Sequence, residues 1–293
     1  MSRPRPVYRD KTSMVTRRVH KRQMLLVGDD EVHQMLKFAL AYCAGKYGIA
    51  LHCLMTEANH YHKVATDPNA RLPDFYRDFH SQVARQLNQL YGEHDAFWSN
   101  KQTNVVGNES ADDILERIQY AMGNPVADGI ERQGKNHKGL RLRWPRAREV
   151  LKRPVGFYRS QDDRGPVPDE VVLEFVRPPG FDHLTDDELD ELIENRILAY
   201  EKQQRDQRDA EGLPFRCDHT DELPDPRSFP KTPHRLFRLA PLIGAKLRVL
   251  RIKAIRRLKQ FRHDHDDARR RYLAGEHDVA CRVAGRRCRL PAP

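Results

Sequence analysis

The sequence predicts an α+β domain followed by a mostly helical, basic extension, on three observations. Within the first 130 residues the apolar period switches from helical to alternating and back. Beyond about residue 182 the sustained periodicity is helical. Charge is also divided along the chain: Lys231 to Pro293 holds 18 basic and 5 acidic residues, a net +13, while the whole chain carries +10 and residues 1–230 therefore −3. The expected division is residues 1–130 as the catalytic-type domain, 131–182 as an irregular, strand-containing extension, and 183–293 as a helical, basic region. At 293 residues and a mean hydropathy of −0.80, the chain is polar yet long enough for a full core. No window approaches the 18 or so consecutive apolar residues a spanning helix needs. Met1 to Asp10 is basic and lacks the apolar run of a secretory signal, so a cytoplasmic location is expected. Five scattered cysteines suit that reducing compartment better than a disulfide framework.

Each element has a local reason. Ser13 to Val19, carrying Arg17 and Arg18, reads as a first strand. Val32, Leu36, Leu40 and Cys43 mark one helical face that ends near Gly45 to Gly48. Ile49, Leu51, Cys53 and Met55 alternate as a strand does, and after a turn at Ala58 and Asn59 a second strand runs from His60 to Thr66. Leu72, Phe75, Phe79, Val83, Leu87 and Leu90 form the stripe of a long amphipathic helix, with Arg77, Arg85 and Asn88 on its polar side. Ser110, with Asp113 at the third helical position, caps another helix. Pro125 is expected to stop it at Asn124, because proline disfavours helical geometry in the residue before it. The stretch to Asp182 is rich in Pro and Gly, with one strand-like run at Val171 to Val176. Thr185 and Glu188 form a capping box opening a charged helix through Ala210, striped by Leu189, Ile193 and Ile197. A proline-rich linker, Leu213 to Pro233, leads to a basic helix with Leu247, Leu250, Ala254, Leu258 and Phe261 on one side and Arg251, Arg256, Arg257 and Lys259 among the cations on the rest. Such a cationic segment suits a polyanion, since each neutralised phosphate releases counterions; a docking helix with a solvated basic face is the competing reading. It lacks the aromatic-flanked apolar face that inserts at a membrane.

Two His-x-His pairs occur, where 14 histidines in 293 residues give roughly 0.7 by chance, so the bare pattern has little specificity. His263 and His265 sit on a helix, where two steps of about 100° turn the rings about 200° apart. His60 and His62 sit on a strand, where residues i and i+2 share a face and two imidazoles can converge on one ion. The competing reading is two histidines on a polar sheet face. Tyr120 lies about 200° from Ile118, off the stripe of Ile114, Leu115, Ile118 and Met122, and shares the polar face with Glu116, Arg117 and Asn124. A surface tyrosine near a helix-ending asparagine would look the same. Chemistry connects the two features. A phenol of pKa about 10 is only ~0.1% ionised at pH 7, so it attacks a phosphodiester poorly unless the target is polarised. A divalent ion held by two imidazoles and an amide oxygen would do this, with Mg²⁺ or Mn²⁺ suited to the mixed ligands.

Asn59-His60-Tyr61-His62, the helix end Tyr120-Ala121-Met122-Gly123-Asn124-Pro125-Val126, and the intervening stretch from Leu87-Asn88 to Phe97-Trp98 together resemble the single-tyrosine HUH transposases, especially the REP-associated tyrosine transposases. The resemblance spans about Tyr8 to Ile130. It implies an antiparallel sheet packed by helices around a ferredoxin-like core. It also implies His60, His62 and Asn124 as metal ligands, Tyr120 as the nucleophile, and a covalent 5′-phosphotyrosine intermediate in cleaving and rejoining single-stranded DNA. The implied partner is single-stranded or hairpin DNA, a homodimer is an allowed assembly, and Arg17, Arg18, Arg85, Arg251, Arg256, Arg257 and Lys259 are the expected DNA contacts. Two departures stand out: Glu57-Ala58 where the family usually has a proline before Asn-His, and Trp98-Ser99-Asn100-Lys101 in place of a basic Trp-Gln-Arg type segment. The competing functions are a domesticated, catalytically silent hairpin-binding protein and a metal-dependent nuclease without a covalent step. Cys217-Asp218-His219 with Cys281 and Cys288 lacks paired zinc spacing, and unbridged cysteines are expected. No Gly-rich phosphate loop, Gly-x-Ser-x-Gly elbow or His-Glu-x-x-His helix is present.

Overall fold

Tertiary pairing turns the alternating segments into one sheet. The structure is a computed structural model that describes residues 4–100, 103–157, 167–230 and 242–276, together with the backbone of two short strands at 281–283 and 286–288. The first strand, β1 (Lys11–Arg18), is followed by α1 (Asp30–Tyr47), the hairpin β2 (Ala50–Glu57) and β3 (His60–Asp67), α2 (Leu72–Tyr91) and β4 (Asn104–Asn108). The strand order β2-β3-β1-β4, antiparallel throughout, with β1 between β3 and β4, is the split βαββαβ arrangement of a ferredoxin-like core. Then come α3 (Ala111–Ala127), β5 (Arg141–Arg143), β6 (Arg148–Lys152), β7 (Glu170–Glu174), α4 (Asp186–Ala210), β8 (Ile243–Gly244), α5 (Arg248–Leu273), β9 (Cys281–Val283) and β10 (Arg286–Cys288). Strands β5 and β8 extend the sheet at its two edges, β8 running parallel to β4. The fold is therefore α+β with a mostly antiparallel sheet, as expected.

Local signals account for the element ends. Asp29 caps α1 by accepting from the Val32 amide at 2.7 Å, and Gly48, at φ 64°, ends it in the left-handed region that glycine enters without a Cβ penalty. The buried Asp67 carboxylate accepts the amides of Asn69, Arg71 and Leu72 at the start of α2. Ser110 caps α3, and Thr185 with Glu188 closes the capping box of α4.

Four expectations are corrected. Strand β1 begins at Lys11 and ends at Arg18 rather than spanning 13–19. Helix α3 does not stop at Asn124: it continues to Ala127 with Pro125 inside. The φ that proline imposes is helical, so its cost falls on the residue before it and on one missing N–H. Asn124 is fixed by tertiary hydrogen bonds that outweigh that preference, and its carbonyl accepts from Asp128 at 2.8 Å. Strands β4, β5, β6 and β8 carried no period because each is five residues or shorter, and the expected 171–176 strand is 170–174, paired with β6. The proline-rich segment is anchored over its described part: Phe215 is buried between Arg132 and Arg208, and Arg216 and Cys217 donate backbone N–H groups to Gly129 and Ile130.

Side-chain parity on β1 and β3 separates two faces. Arg17, Tyr61 and Lys63 point toward α2, where Tyr61 meets Phe79, and Lys63 lies 3.7 Å from the Phe75 ring centre. His60, His62 and Arg18 point the other way, toward α3. Helix α4 packs on α3 through Gly123, where a Cβ would stand 2.5 Å from Tyr200, and is tied to edge strand β5 by part-buried ion pairs, Arg141 with Glu201 and Arg143 with Asp190 and Glu194. The helical extension is thus fastened to the sheet edge rather than laid over it.

Lys63 yields a stability prediction. Its ammonium is fully buried among Phe75, Tyr76 and Phe79 with no hydrogen-bond partner among the described residues, and burial holds its pKa well below the usual value. A base depressed in the folded state binds its proton more tightly when unfolded, so stability falls as pH drops from about 10.4 toward the lowered folded value. Lys63→Met should stabilise the fold at pH 7 by about 1–3 kcal/mol, with the gain shrinking as pH rises to 10. Urea denaturation at both pH values measures it, and a pH-independent loss of stability would contradict it.

Candidate active site

The site is assembled from the β2–β3 hairpin and α3. Alternation on β3 puts His60 and His62 on one face, both 3% exposed, with their Nε2 atoms 3.1 Å apart. The Nδ1 atom of His60 lies 2.9 Å from the Asn59 Oδ1, and that of His62 lies 2.9 Å from the Thr16 hydroxyl. An amide oxygen only accepts, so His60 donates through Nδ1 and keeps its lone pair at Nε2; the Thr16 hydroxyl can donate or accept, and in the tautomer where it accepts from His62 Nδ1 the second ring also has its lone pair at Nε2. Two lone pairs then converge on one point. Ligands about 2.1 Å from an ion and at right angles are ~3.0 Å apart, so the pair fits a divalent cation. Burial, with Arg18 adding to it, pushes the His62 pKa down to about 3 against the raising effect of its hydrogen bond to Asn124. The ring is therefore neutral at physiological pH, the form that ligates metals.

Helix α3 lies over this face. The Tyr120 ring stands 5.5 Å from the His62 ring at 90°, and the residue is 37% exposed. One turn on, Asn124 is buried; its Nδ2 donates to Glu57 Oε1 at 2.9 Å and its carboxamide hydrogen-bonds His62. The sequence put Asn124 on a polar, solvated face, whereas that face is turned toward the sheet. Tyr61, the other tyrosine near the histidines, points to the opposite side, where its hydroxyl meets His80 Nε2 at 2.6 Å and burial raises its pKa.

Three groups join the site that sequence reasoning missed. Glu57 is buried at the end of β2, and Asp128 follows α3; with His60 they offer ligand atoms within 4.8 Å of one another. Tyr200 of α4 sits 6.3 Å from Tyr120, its pKa pushed up to about 12 by burial with the Tyr120 phenol adding to it. The hairpin register, which sets Glu57 opposite His60, was a usable signal. Asp128 and Tyr200 had none.

The expected DNA contacts are divided. Arg18 shares the histidine face, but Arg17 lies on the α2 side with its guanidinium 5.8 Å from the Trp98 ring centre, and Arg85 is exposed on α2 itself. These two are therefore across the sheet from His60, because consecutive strand residues alternate and α2 packs on that far face. On α5, Arg251 donates to the carbonyls of Ala245 and Lys246 in the segment leading into the helix, and Arg257 pairs with Glu109, which helps dock the helix, whereas Arg256 and Lys259 are exposed. Leu247, expected in the apolar stripe, is 61% exposed and precedes the helix, whose buried positions are Ala254, Phe261 and Ala268. His263 and His265 lie on α5 and do not converge. Among the described residues Cys43, Cys53 and Cys217 form no disulfide, and Asp218 pairs with Arg132. The side chains of Cys281 and Cys288 lie outside the described residues. Among the described residues, no helix is long and apolar enough to cross a membrane.

No protein-family profile matches the sequence, nor does any curated protein sequence. Among solved structures, the chain is similar to a REP-associated tyrosine transposase bound to a REP hairpin, at 19% identity over 47% of this chain and 81% of that one, with a TM-score of 0.40. It is also similar to a protein from Deinococcus radiodurans R1 assigned as a transposase, at 21% identity over 42% of this chain and 97% of that one, with a TM-score of 0.30.

Proposed function

We propose that the protein is a metal-dependent transposase that cleaves and rejoins single-stranded DNA through a 5′-phosphotyrosine on Tyr120. The observation that carries this reading is the convergence of two buried imidazole Nε2 atoms 3.1 Å apart beside a partly exposed tyrosine. His60, His62 and Asn124 would hold the ion, Mg²⁺ or Mn²⁺, whose chemistry is to polarise the scissile phosphate. Tyr120 Oη then attacks phosphorus and loses its proton, the P–O3′ bond breaks, and the departing 3′ oxygen takes up a proton. The phosphotyrosine keeps the bond energy, so a 3′-hydroxyl can reverse the step without a nucleotide cofactor. Thr16 and Asn59 hold the histidine rings, and Arg18 places a cation on the same face for a neighbouring phosphate.

Incubating the protein with labelled single-stranded or hairpin oligonucleotides and Mn²⁺ tests the reading. A denaturant-resistant protein–DNA adduct is expected. Cleavage without an adduct would favour a nuclease in which the Glu57 and Asp128 carboxylates serve a water nucleophile. Binding without cleavage would favour the silent hairpin-binding protein.

The basic helix has its own test. Deleting the chain after about Phe229 would also remove β8 from the sheet edge and the Arg257–Glu109 pair, so point substitutions isolate charge better. Arg256→Gln with Lys259→Gln should weaken DNA binding and lower the salt slope by about 0.7 for each phosphate that is no longer neutralised. Cleavage at saturating DNA should be unchanged. An unaltered slope would make α5 a structural or partner-binding element.

A further inference from the structure

Glu57 is a buried carboxylate that the proposed chemistry does not use. It ends β2 directly across the hairpin from His60, on the histidine face, and is 4% exposed. Burial above all, and then the nearby Asp128, hold its pKa well above the usual carboxylate range, against the lowering hydrogen bond from Asn124 and charge of Arg18. A carboxyl group in such a place costs stability unless its hydrogen bonds are needed. Its two oxygens are both directed at site residues: Oε1 accepts from Asn124 Nδ2 at 2.9 Å, and Oε2 stands 3.5 Å from His60 Nδ1. The first contact matters most. A carboxamide can turn over, presenting either its oxygen or its NH₂ to a given neighbour, and only the oxygen can ligate a cation. The Glu57 Oε1 atom takes the amide's NH₂ end as its donor, which fixes the orientation in which Asn124 Nδ2 is bound to Glu57 and Oδ1 is left for the histidine side.

We propose that Glu57 is a positioning residue that locks the Asn124 carboxamide with its oxygen turned toward His62. This rests on the reading of His60, His62 and Asn124 as the ion's ligands. The effect belongs to this chain's hairpin, because the two-residue turn at Ala58-Asn59 brings residue 57 opposite residue 60. A one-residue shift of register would face Glu57 toward α2 instead.

The test is Mn²⁺ binding to the full chain by isothermal titration, without DNA, for Glu57→Ala, Glu57→Gln, Asn124→Ala and the Glu57→Ala/Asn124→Ala double variant, each checked for folding by circular dichroism. Glu57→Ala should weaken Mn²⁺ binding by about 10- to 100-fold, the usual loss on removing an outer partner of a metal ligand. Glu57→Gln retains an acceptor for Asn124 Nδ2 and should recover most of the affinity even if the alanine variant folds poorly. In the Asn124→Ala background, Glu57→Ala should add little, since a lock on an absent amide has nothing to hold. Full additivity in the double variant, or a Glu57→Gln loss as deep as that of alanine, would overturn the proposal and make Glu57 a ligand in its own right. Unchanged affinity in folded Glu57→Ala, with His60→Ala abolishing binding, would overturn the proposal and leave the metal site standing. Unchanged affinity in His60→Ala and His62→Ala would remove the metal site itself.

Discussion

Tyr120→Phe should yield no covalent protein–DNA adduct while retaining helix α3, Mn²⁺ binding and DNA binding. The substitution removes one oxygen, the atom that becomes the phosphate ester, and loss of a nucleophile lowers turnover by several orders of magnitude. The ring remains, so its edge-to-face contact with His62 and its approach to Tyr200 are preserved. Stability should therefore change little, and circular dichroism with an Mn²⁺ titration checks this beside the denaturing gel. Tyr200 is the tyrosine to test if an adduct persists, because it is 6.3 Å from Tyr120 between ring centres. Tyr61, nearer in sequence to both histidines, is an unsuitable substitute, since its hydroxyl is on the far face of the sheet and bonded to His80. An adduct formed at full rate by Tyr120→Phe would refute the nucleophile assignment.

Replacing His60 or His62 by alanine should abolish cleavage, with a loss of at least about 100-fold in Mn²⁺ affinity, and leave DNA binding largely intact. Either change leaves one imidazole facing an empty half of the chelate, and most affinity for DNA comes from phosphate contacts elsewhere. The pH dependence follows from burial. His62 has its pKa lowered to about 3, so it stays neutral well below pH 6, and its protonation should not limit metal binding above that pH. Titrating Mn²⁺ at pH 5.5 and 7.5 measures this. Unchanged cleavage in both single variants would remove the metal-dependent reading altogether.

Much of the site was legible because it rests on short-range geometry. A strand period of two places His60 and His62 together whatever the rest of the chain does, and a helical period near 3.6 places Asn124 one turn from Tyr120. The same parity separates Arg17 from Arg18, and the hairpin register brings Glu57 to His60, so both were readable from the same local rule. Strands β4, β5, β6 and β8 were not readable, because two to five residues carry too little pattern to distinguish a strand from a loop, whereas the equally short β7 was betrayed by its run of Val171, Val172 and Leu173.

The sequence by itself determined the type of each long element, the end of α1 near Gly48, the N-caps of α3 and α4, the pairing of the two histidines on one face, and the concentration of positive charge after residue 230. Only the tertiary structure decided that α3 covers the histidine face while α2 covers the other, and that Asn124 is buried against Glu57 rather than solvated. It also decided that α4 and β8 fasten the extension to the sheet and that Arg17 and Arg85 lie across the sheet from His60. The physical reason is range. Backbone periodicity relates side chains within one element, whereas the face on which a helix lands depends on which apolar stripes are buried together and on contacts such as Gly123 with Tyr200, between residues far apart in the chain.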